Sequence, residues 1–383
     1  MNRLNQLTEI HQSGKPYIIY KSKKGFNLYT NFSKKIILNN KNIKSFLNKK
    51  NKKKSKDTDL FIGFFGYELL NNLIDVKIPK QKNLNFPKGI FYKPEKKIKL
   101  SNKLNYDFEN FKSGNFKINI NRKNYTKIFN KFKKKIKSGE TYQIKICTKY
   151  KTKSKINPLD FFSRLSNTNL APEAFMIKDH NYSIISCSPE TLITKKGSDI
   201  STKPIAGTVK KTKHLNKMKA LNYFRKNLKE TKEHNMIVDM ERNDLSRICK
   251  VGTVKLSKQK IVEEYKDLFH YVSLIKGKLK KNINNFEIIK AMMPGGSVIG
   301  CPKINTLNLL NNQEKENRNI YTGSFGYIKF NGDMRFNIII RSILNFKNIS
   351  EISVASGVVV DSNANHEFNE NFLKAKALID LFK

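Results

Sequence analysis

Strand-like and helix-like apolar patterns are interspersed along this chain without the regular strand–helix alternation of a doubly wound parallel sheet. That ordering points to an α+β fold. PYIIY, FNLYT and KIILN, all before residue 40, read as strands. LFIGFFGYELL (Leu60–Leu70) suits a buried strand leading into a helix. A second region begins near residue 120. There Tyr125, Ile128, Phe129, Phe132 and Ile136 recur at helical spacing, and the pattern stops near Gly139. TYQIKICTKYK alternates Tyr142, Ile144 and Ile146 with Gln143, Lys145 and Cys147, the pattern of a half-buried strand. YSIISCSPETLITKK reads as two strands broken at Ser188–Pro189, and about 215–247 as one long helix. A hairpin turns at Asn331–Gly332 before the apolar strand FNIIIR, and a final helix covers about Asn365 to Phe382.

Charge is the property most open to misreading. The chain has 383 residues and a formal net charge of +44. A nucleic-acid binder would gather such charge into a stripe, with Arg prominent. Here Lys is scattered everywhere, about nine of the 75 basic residues are Arg, and no nucleic-acid-binding motif is present. A Lys-biased surface is the favoured reading, with no specific nucleic-acid partner; the field can still draw in an anionic substrate. NKKNKKKSKD (Asn48–Asp57) reads as a solvated charge run. The four cysteines stand far apart, which fits a reducing cytoplasm and argues against a metal cluster or disulfide framework. No signal-peptide h-region opens the chain, and no apolar run reaches the ~20 residues of a membrane span.

Against this Lys/Asn background three blocks keep Glu, Asp, Arg, Gly and Pro: EHNMIVDMERNDLSR (Glu233–Arg247), PGGSVIGCPK (Pro294–Lys303) and ASGVVVDSNANHEFNENFLKAKAL (Ala355–Leu378). Glu367 and Glu370 share a helix face with Lys374, and Glu233 opens another carboxylate-bearing helix. Such carboxylates suit a hard cation, or they are ordinary exposed faces with an ion pair. PGGSVIGCPK offers an anion-holding nest or a tight structural turn, and it lacks the Lys-Ser/Thr of a phosphate-binding loop. Arg341 is either a carboxylate clamp or a strand-end charge. His270, in an apolar run, reads on its own as a core histidine. Glu190, just after the strand break, is a solvated turn carboxylate or an acid with a raised pKa.

Taken in order, YQIKIC, SCSPETL, KPIAGTVK, the Glu233 block, FHYVSLIKG, PGGSVIGCPK, YTGSFGYIKFNGDM, IIIRS, ASGVVVDS and HEFNENFLKAKA resemble the chorismate-utilising enzymes, over about 120–383. Their branches include the anthranilate, aminodeoxychorismate, isochorismate and salicylate synthases. The resemblance implies one α+β fold, a large twisted antiparallel β-sandwich flanked by helices. Residues 1–115 would be a variable N-terminal part of that fold and 116–383 its catalytic core. It implies Mg²⁺ on Glu233 and Glu370, with Glu367 close by, holding the ring carboxylate of chorismate. Glu190 matches the acid that protonates the departing 4-hydroxyl. Arg341 and Lys374 match groups on substrate carboxylates, and Tyr327 is grouped with the substrate-binding set. Gly295, Gly296, Ser297, Ser356 and Gly357 match anion-holding turns, Gly207 and Thr208 line the ring pocket, and His270 stands near the ring.

Gln143 separates the branches. Water-using members carry a Lys base there, so Gln implies ammonia, supplied by a glutamine amidotransferase subunit. PGGSVIGCPK and YTGSFGYIKFNGDM are more similar to the aminodeoxychorismate branch, and no LLES tryptophan-feedback motif is found. PIAGT, with Ala206 where some members of that branch carry a covalently acting Lys, is similar to the anthranilate branch. Amination at C4 is the first expectation and anthranilate formation the alternative. Asn371 for the usual Thr, and NAN without the usual Pro, are further departures.

Overall fold

A computed structural model describes the chain except residues 1–2, 50–55, 75, 77–85, 105–113, 169–170 and 266–267. Side chains at 3–5, 71, 72, 206, 210 and 229 are also outside the description. Most of the charge run Asn48–Asp57 therefore lies outside the described residues.

The first part carries α1 (Arg3–Gln12), β1 (Tyr17–Ser22), β2 (Gly25–Ile37), α2 (Ile43–Asn48), β3 (Leu60–Phe65), α3 (Tyr67–Leu73) and β4 (Gly89–Leu100). Then follow β5 (Lys117–Ile118), α4 (Arg122–Lys137), β6 (Gln143–Lys153), α5 (Pro158–Thr168), β7 (Glu173–Lys178), β8 (Tyr182–Ser188), β9 (Thr191–Lys196), β10 (Asp199–Lys203) and β11 (Ile205–Lys210). Next come α6 (Lys217–Lys226), α7 (Leu228–Ile248), β12 (Lys255–Glu264), β13 (Leu268–Lys278), α8 (Asn285–Met292), β14 (Gly300–Cys301) and α9 (Lys303–Gln313). The chain closes with β15 (Ser324–Lys329), β16 (Met334–Asn337), β17 (Ser342–Phe346), β18 (Ile349–Val358) and α10 (Ala364–Ile379).

All strand pairings are antiparallel and form one continuous ribbon with β4 at its centre. One arm runs β4–β3–β15–β16–β9–β10–β13, with β11 and β12 also on β13. The other runs β4–β2–β1–β7–β8–β17–β18–β6, with β5 and β14 on β6. Period-two alternation then sorts side chains into layers. In β1, Ile18 and Tyr20 enter the core between the arms, while Tyr17 and Ile19 face a second core with α1, α5 and α10. In β3, Ile62 and Phe64 join the inter-arm core, and Phe61 and Phe65 pack under α2, α7 and α8. Phe325 of β15 stacks on Phe175 of β7 at 3.8 Å between ring centroids, tying one arm to the other. The result is the expected α+β sandwich with helices outside.

Three local expectations change. Residues 215–247 form two helices, because the Asn227 side chain caps α7 by accepting from the Glu230 amide at 3.2 Å. The β6 pattern is buried on both faces: Gln143 is buried as fully as Ile144 and Cys147 is also buried, while Tyr142 just outside the strand is 62% exposed. Its polar face looks into protein, not solvent. FNIIIR is not one strand: β16 stops at Asn337, and residues 338–341 cross to β17 with Arg341 at φ 51°.

Candidate active site

The chain passes between the two arms at β8–β9 and again at β16–β17. The crossings lie side by side. Ile338 N donates to Glu190 O at 3.1 Å, Ser188 Oγ to Ile338 O at 2.5 Å, and Cys187 N to Arg341 O at 3.2 Å. Glu190 and Arg341 therefore lie on adjacent crossings at one cavity of about 370 Å³. A left-handed backbone at a non-glycine residue such as Arg341 costs energy and is held by its surroundings.

Ten of the sequence-predicted residues line this cavity: Glu190, Gly207, Thr208, Glu233, Ser297, Arg341, Gly357, Glu367, Glu370 and Lys374. They come from β11, α7, β18, α10, the two crossings and the turn before β14. Glu190 is buried, and burial pushes its carboxyl up to about 7; Ser297 Oγ donates to its Oε1 at 2.9 Å. Among the described residues no carboxylate pairs with the half-buried Arg341 guanidinium, and burial lowers its pKa. This side of the cavity thus holds a carboxyl poised to keep a proton near neutrality and a cation available to an anion.

The opposite side is compensated charge. Glu233 Oε1 accepts from both Lys145 Nζ and Gln143 Nε2, each at 2.8 Å. Burial opposes the Glu233 charge, but Lys145 and Gln143 outweigh it and bring the carboxyl down to about 2. Glu370 pairs with Lys374 at 2.6 Å, and Lys374 also donates to Ala355 O at 3.0 Å. Glu367 and Glu370, one turn apart on α10, join His366 in a group whose ligand atoms lie within 4.8 Å of one another. Carboxylate oxygens at that spacing fit a hard divalent cation.

Other predicted residues stand one layer back. His270 is buried and its Nδ1 lies 2.8 Å from Thr208 Oγ1; burial, then the Arg341 charge, lowers its pKa to about 4, so it is neutral. Gln143 is a brace for Glu233. Ser356 turns away, its Oγ 2.8 Å from the Tyr125 hydroxyl. A Cβ on Gly295 would lie 2.7 Å from Ile338 Cδ1, and one on Gly296 would lie 2.2 Å from Met240 Sδ. Both glycines therefore serve close packing under Ser297. Tyr327 is not brought here; it lines a separate cavity with Tyr20, Tyr29, Tyr265 and Arg335. The tyrosine at the site is Tyr321, which sequence reasoning missed together with Lys145, Glu230 and His366. Lys145 could have been found from β6 itself, where it shares the polar face with Gln143. Residue 206 sits at the bulge between Ile205 and Gly207.

The sequence profile described as chorismate binding enzyme matches residues 11–380. Aminodeoxychorismate synthase component 1 of Bacillus subtilis is 34% identical over 70% of this chain, a match spanning 57% of that protein. An anthranilate synthase component I-like protein of Synechocystis is 31% identical over 83% of this chain and 72% of its own length. In three dimensions the chain is similar to anthranilate synthase component I from Streptococcus pneumoniae, with TM-score 0.77 and 25% identity, covering 95% of this chain and 92% of that one.

Proposed function

The chain belongs to the chorismate-binding enzymes, and from that premise we propose that it aminates chorismate to 4-amino-4-deoxychorismate. It would use Mg²⁺ and ammonia delivered by a glutamine amidotransferase subunit. The observation that carries amination over hydration is the state of the polar groups nearest Glu233. Gln143 has no basic nitrogen, and its amide is spent on Glu233. Lys145 and Lys374 each hold a carboxylate at 2.8 and 2.6 Å. Burial works against the Lys145 charge, but Glu233, then Glu370 and Glu367, more than offset it and raise its pKa. Neither lysine is a free amine that could take a proton from water, whereas ammonia needs no such base.

The residues then divide the work. Glu233, Glu367 and Glu370 would hold the Mg²⁺, which supplies charge stabilisation at a substrate carboxylate. Arg341 and Lys374 clamp carboxylates and fix the ring over Gly207 and Thr208. Thr208 is itself fixed by the neutral His270 behind it. The ammonia lone pair forms the C–N bond and the C4–O bond breaks. Glu190 gives its proton to the departing hydroxide, which leaves as water, and the new ammonium returns a proton to the Glu190 carboxylate.

Anthranilate formation is the second reading, favoured by one feature, Ala206 in PIAGT. With Ala206, no lysine at that position can form a covalent adduct, so C4 amination here must be direct. Product analysis decides. The purified chain with chorismate, Mg²⁺ and ammonium should give a 4-amino-4-deoxychorismate mass that an added lyase converts to p-aminobenzoate. Fluorescent anthranilate instead would overturn the C4 assignment, and isochorismate would overturn amination itself.

A further inference from the structure

We propose that Lys145 is a resident cation that guards Glu233: it holds this carboxylate in an ion pair, and a divalent cation must take Glu233 from it. The inference rests on the metal reading above and goes further, assigning a residue that controls when the metal binds.

The geometry of the pair is built, not incidental. Lys145 Nζ sits 2.8 Å from Glu233 Oε1, with side-chain exposures of 13% and 24%. Gln143 Nε2 shares the same oxygen at 2.8 Å. Both heads cross bare backbone at Gly357: a Cβ there would lie 2.7 Å from Lys145 Nζ and 2.9 Å from Gln143 Nε2. Any side chain at 357 would push both donors off Glu233. Glu370 and Glu367 also act on the Lys145 charge from α10. Among the described residues the wall thus holds four carboxylates, Glu230, Glu233, Glu367 and Glu370, and two ammonium groups, Lys145 and Lys374.

The two lysines differ in freedom. Lys374 is 43% exposed and can leave Glu370 for solvent at little cost. Lys145 is almost enclosed, and a buried ion pair that loses one partner is penalised heavily. A divalent cation arriving at Glu233 meets the Lys145 ammonium on the same carboxylate, and like charges at such range repel strongly where water is scarce. Lys145 therefore has to give up Glu233, and the acceptor that enters this cavity is an anionic substrate. Metal binds weakly to the empty site and tightly together with the substrate, which takes over Lys145.

The test is a Mn²⁺ titration of the full chain without substrate, following free Mn²⁺ by electron paramagnetic resonance. Lys145→Met should bind Mn²⁺ at least about tenfold more tightly than the unaltered protein, and Glu233→Gln should bind it more weakly. A gain of affinity is not what a merely structural lesion gives. Lys145→Gln keeps a neutral donor to Glu233 and serves if the Met variant does not fold. Equal or weaker binding by the Lys145 variants, with Glu233→Gln still impaired, overturns the guard and leaves the metal reading intact. Mn²⁺ binding that is absent from the unaltered chain and from the Lys145 variants alike, or that is indifferent to Glu233→Gln and Glu370→Gln alike, overturns the metal reading and the guard with it.

Discussion

The two walls of the cavity solve the problem of burying charge in opposite ways. On the wall from β6, α7 and α10, carboxylates are met by ammonium groups: Glu233 by Lys145, Glu370 by Lys374. On the wall formed by the two inter-arm crossings, Glu190 has a hydroxyl and backbone for company, and Arg341 has no carboxylate partner among the described residues. Burial moves each toward its neutral form. The first wall pairs carboxylates with ammonium groups, and Lys145 and Gln143 hold Glu233 ionised, so it suits cation exchange. The second keeps a proton on a carboxyl and so suits leaving-group protonation. Nearly identical side chains thus take different roles because their neighbours differ.

The largest expected effect strikes the ionised wall. Glu370→Gln removes a carboxylate from the metal group, and turnover should fall on the order of 10³-fold, measured as initial rate against Mg²⁺ concentration. Unchanged turnover would mean the metal is held elsewhere. The next strikes the protonated wall. Glu190→Gln should lower kcat by roughly 10²–10⁴-fold with KM little changed; a pure KM effect would remove Glu190 from the acid role. At constant free ammonia, kcat should fall as pH rises through about 7, where Glu190 loses its proton, and the residual rate of the variant should lack that step.

The same carboxyl gives a stability prediction with a definite sign. Its folded pKa lies above the ordinary carboxylate value, so the folded chain keeps a proton that the unfolded chain releases. The contribution of Glu190 to stability is then greatest below about pH 4.5, falls as pH rises towards about 7, and is level above that. Glu190→Gln should therefore unfold no more easily than the unaltered chain at pH 4. At pH 8 it should be more stable, by up to about 3 kcal/mol. Denaturant unfolding at the two pH values checks this, and a variant equally or less stable at pH 8 would show that Glu190 is ionised without cost.

How far sequence could see follows from the same contrast. Glu190 was legible because Ser188–Pro189 breaks two strands, and the carboxylate falls where the chain crosses between arms. The spacing of Glu367, Glu370 and Lys374 was legible because a helix turns side chains onto one face every three or four residues. Tyr125, Phe129, Phe132 and Ile136 marked α4 for the same reason, and all four are buried. Lys145 was masked by composition: in a chain this rich in lysine, one more Lys in a strand carries little signal, and only its place on the face of Gln143 sets it apart. The two-sided burial of β6 was also invisible, since a polar face turned to a cavity and one turned to water have the same period. Arg341 looked like the end of a strand because FNIIIR is apolar, yet the backbone leaves the sheet after Asn337 to reach the other arm. A local pattern does not encode that crossing.

Tyrosines 321 and 327 give the smallest and most discriminating test of the cavity's limits. They lie six residues apart around a strand start, and the motif alone does not say which one serves the site. Tyr321 is buried, packs with Cys147, Ala355 and Ile340 and lines the cavity, whereas Tyr327 lines the separate cavity with Arg335. Tyr321→Ala should empty volume in this cavity's lining and raise KM for chorismate about tenfold, the cost of roughly 1.4 kcal/mol of lost contact. Tyr327→Phe should leave kcat and KM within a factor of about two, because it keeps the ring and removes a hydroxyl that does not face the substrate. If Tyr327→Phe were the damaging change and Tyr321→Ala the silent one, the substrate would lie in the other cavity. The paired wall and the crossing wall would then be walls of the wrong chamber.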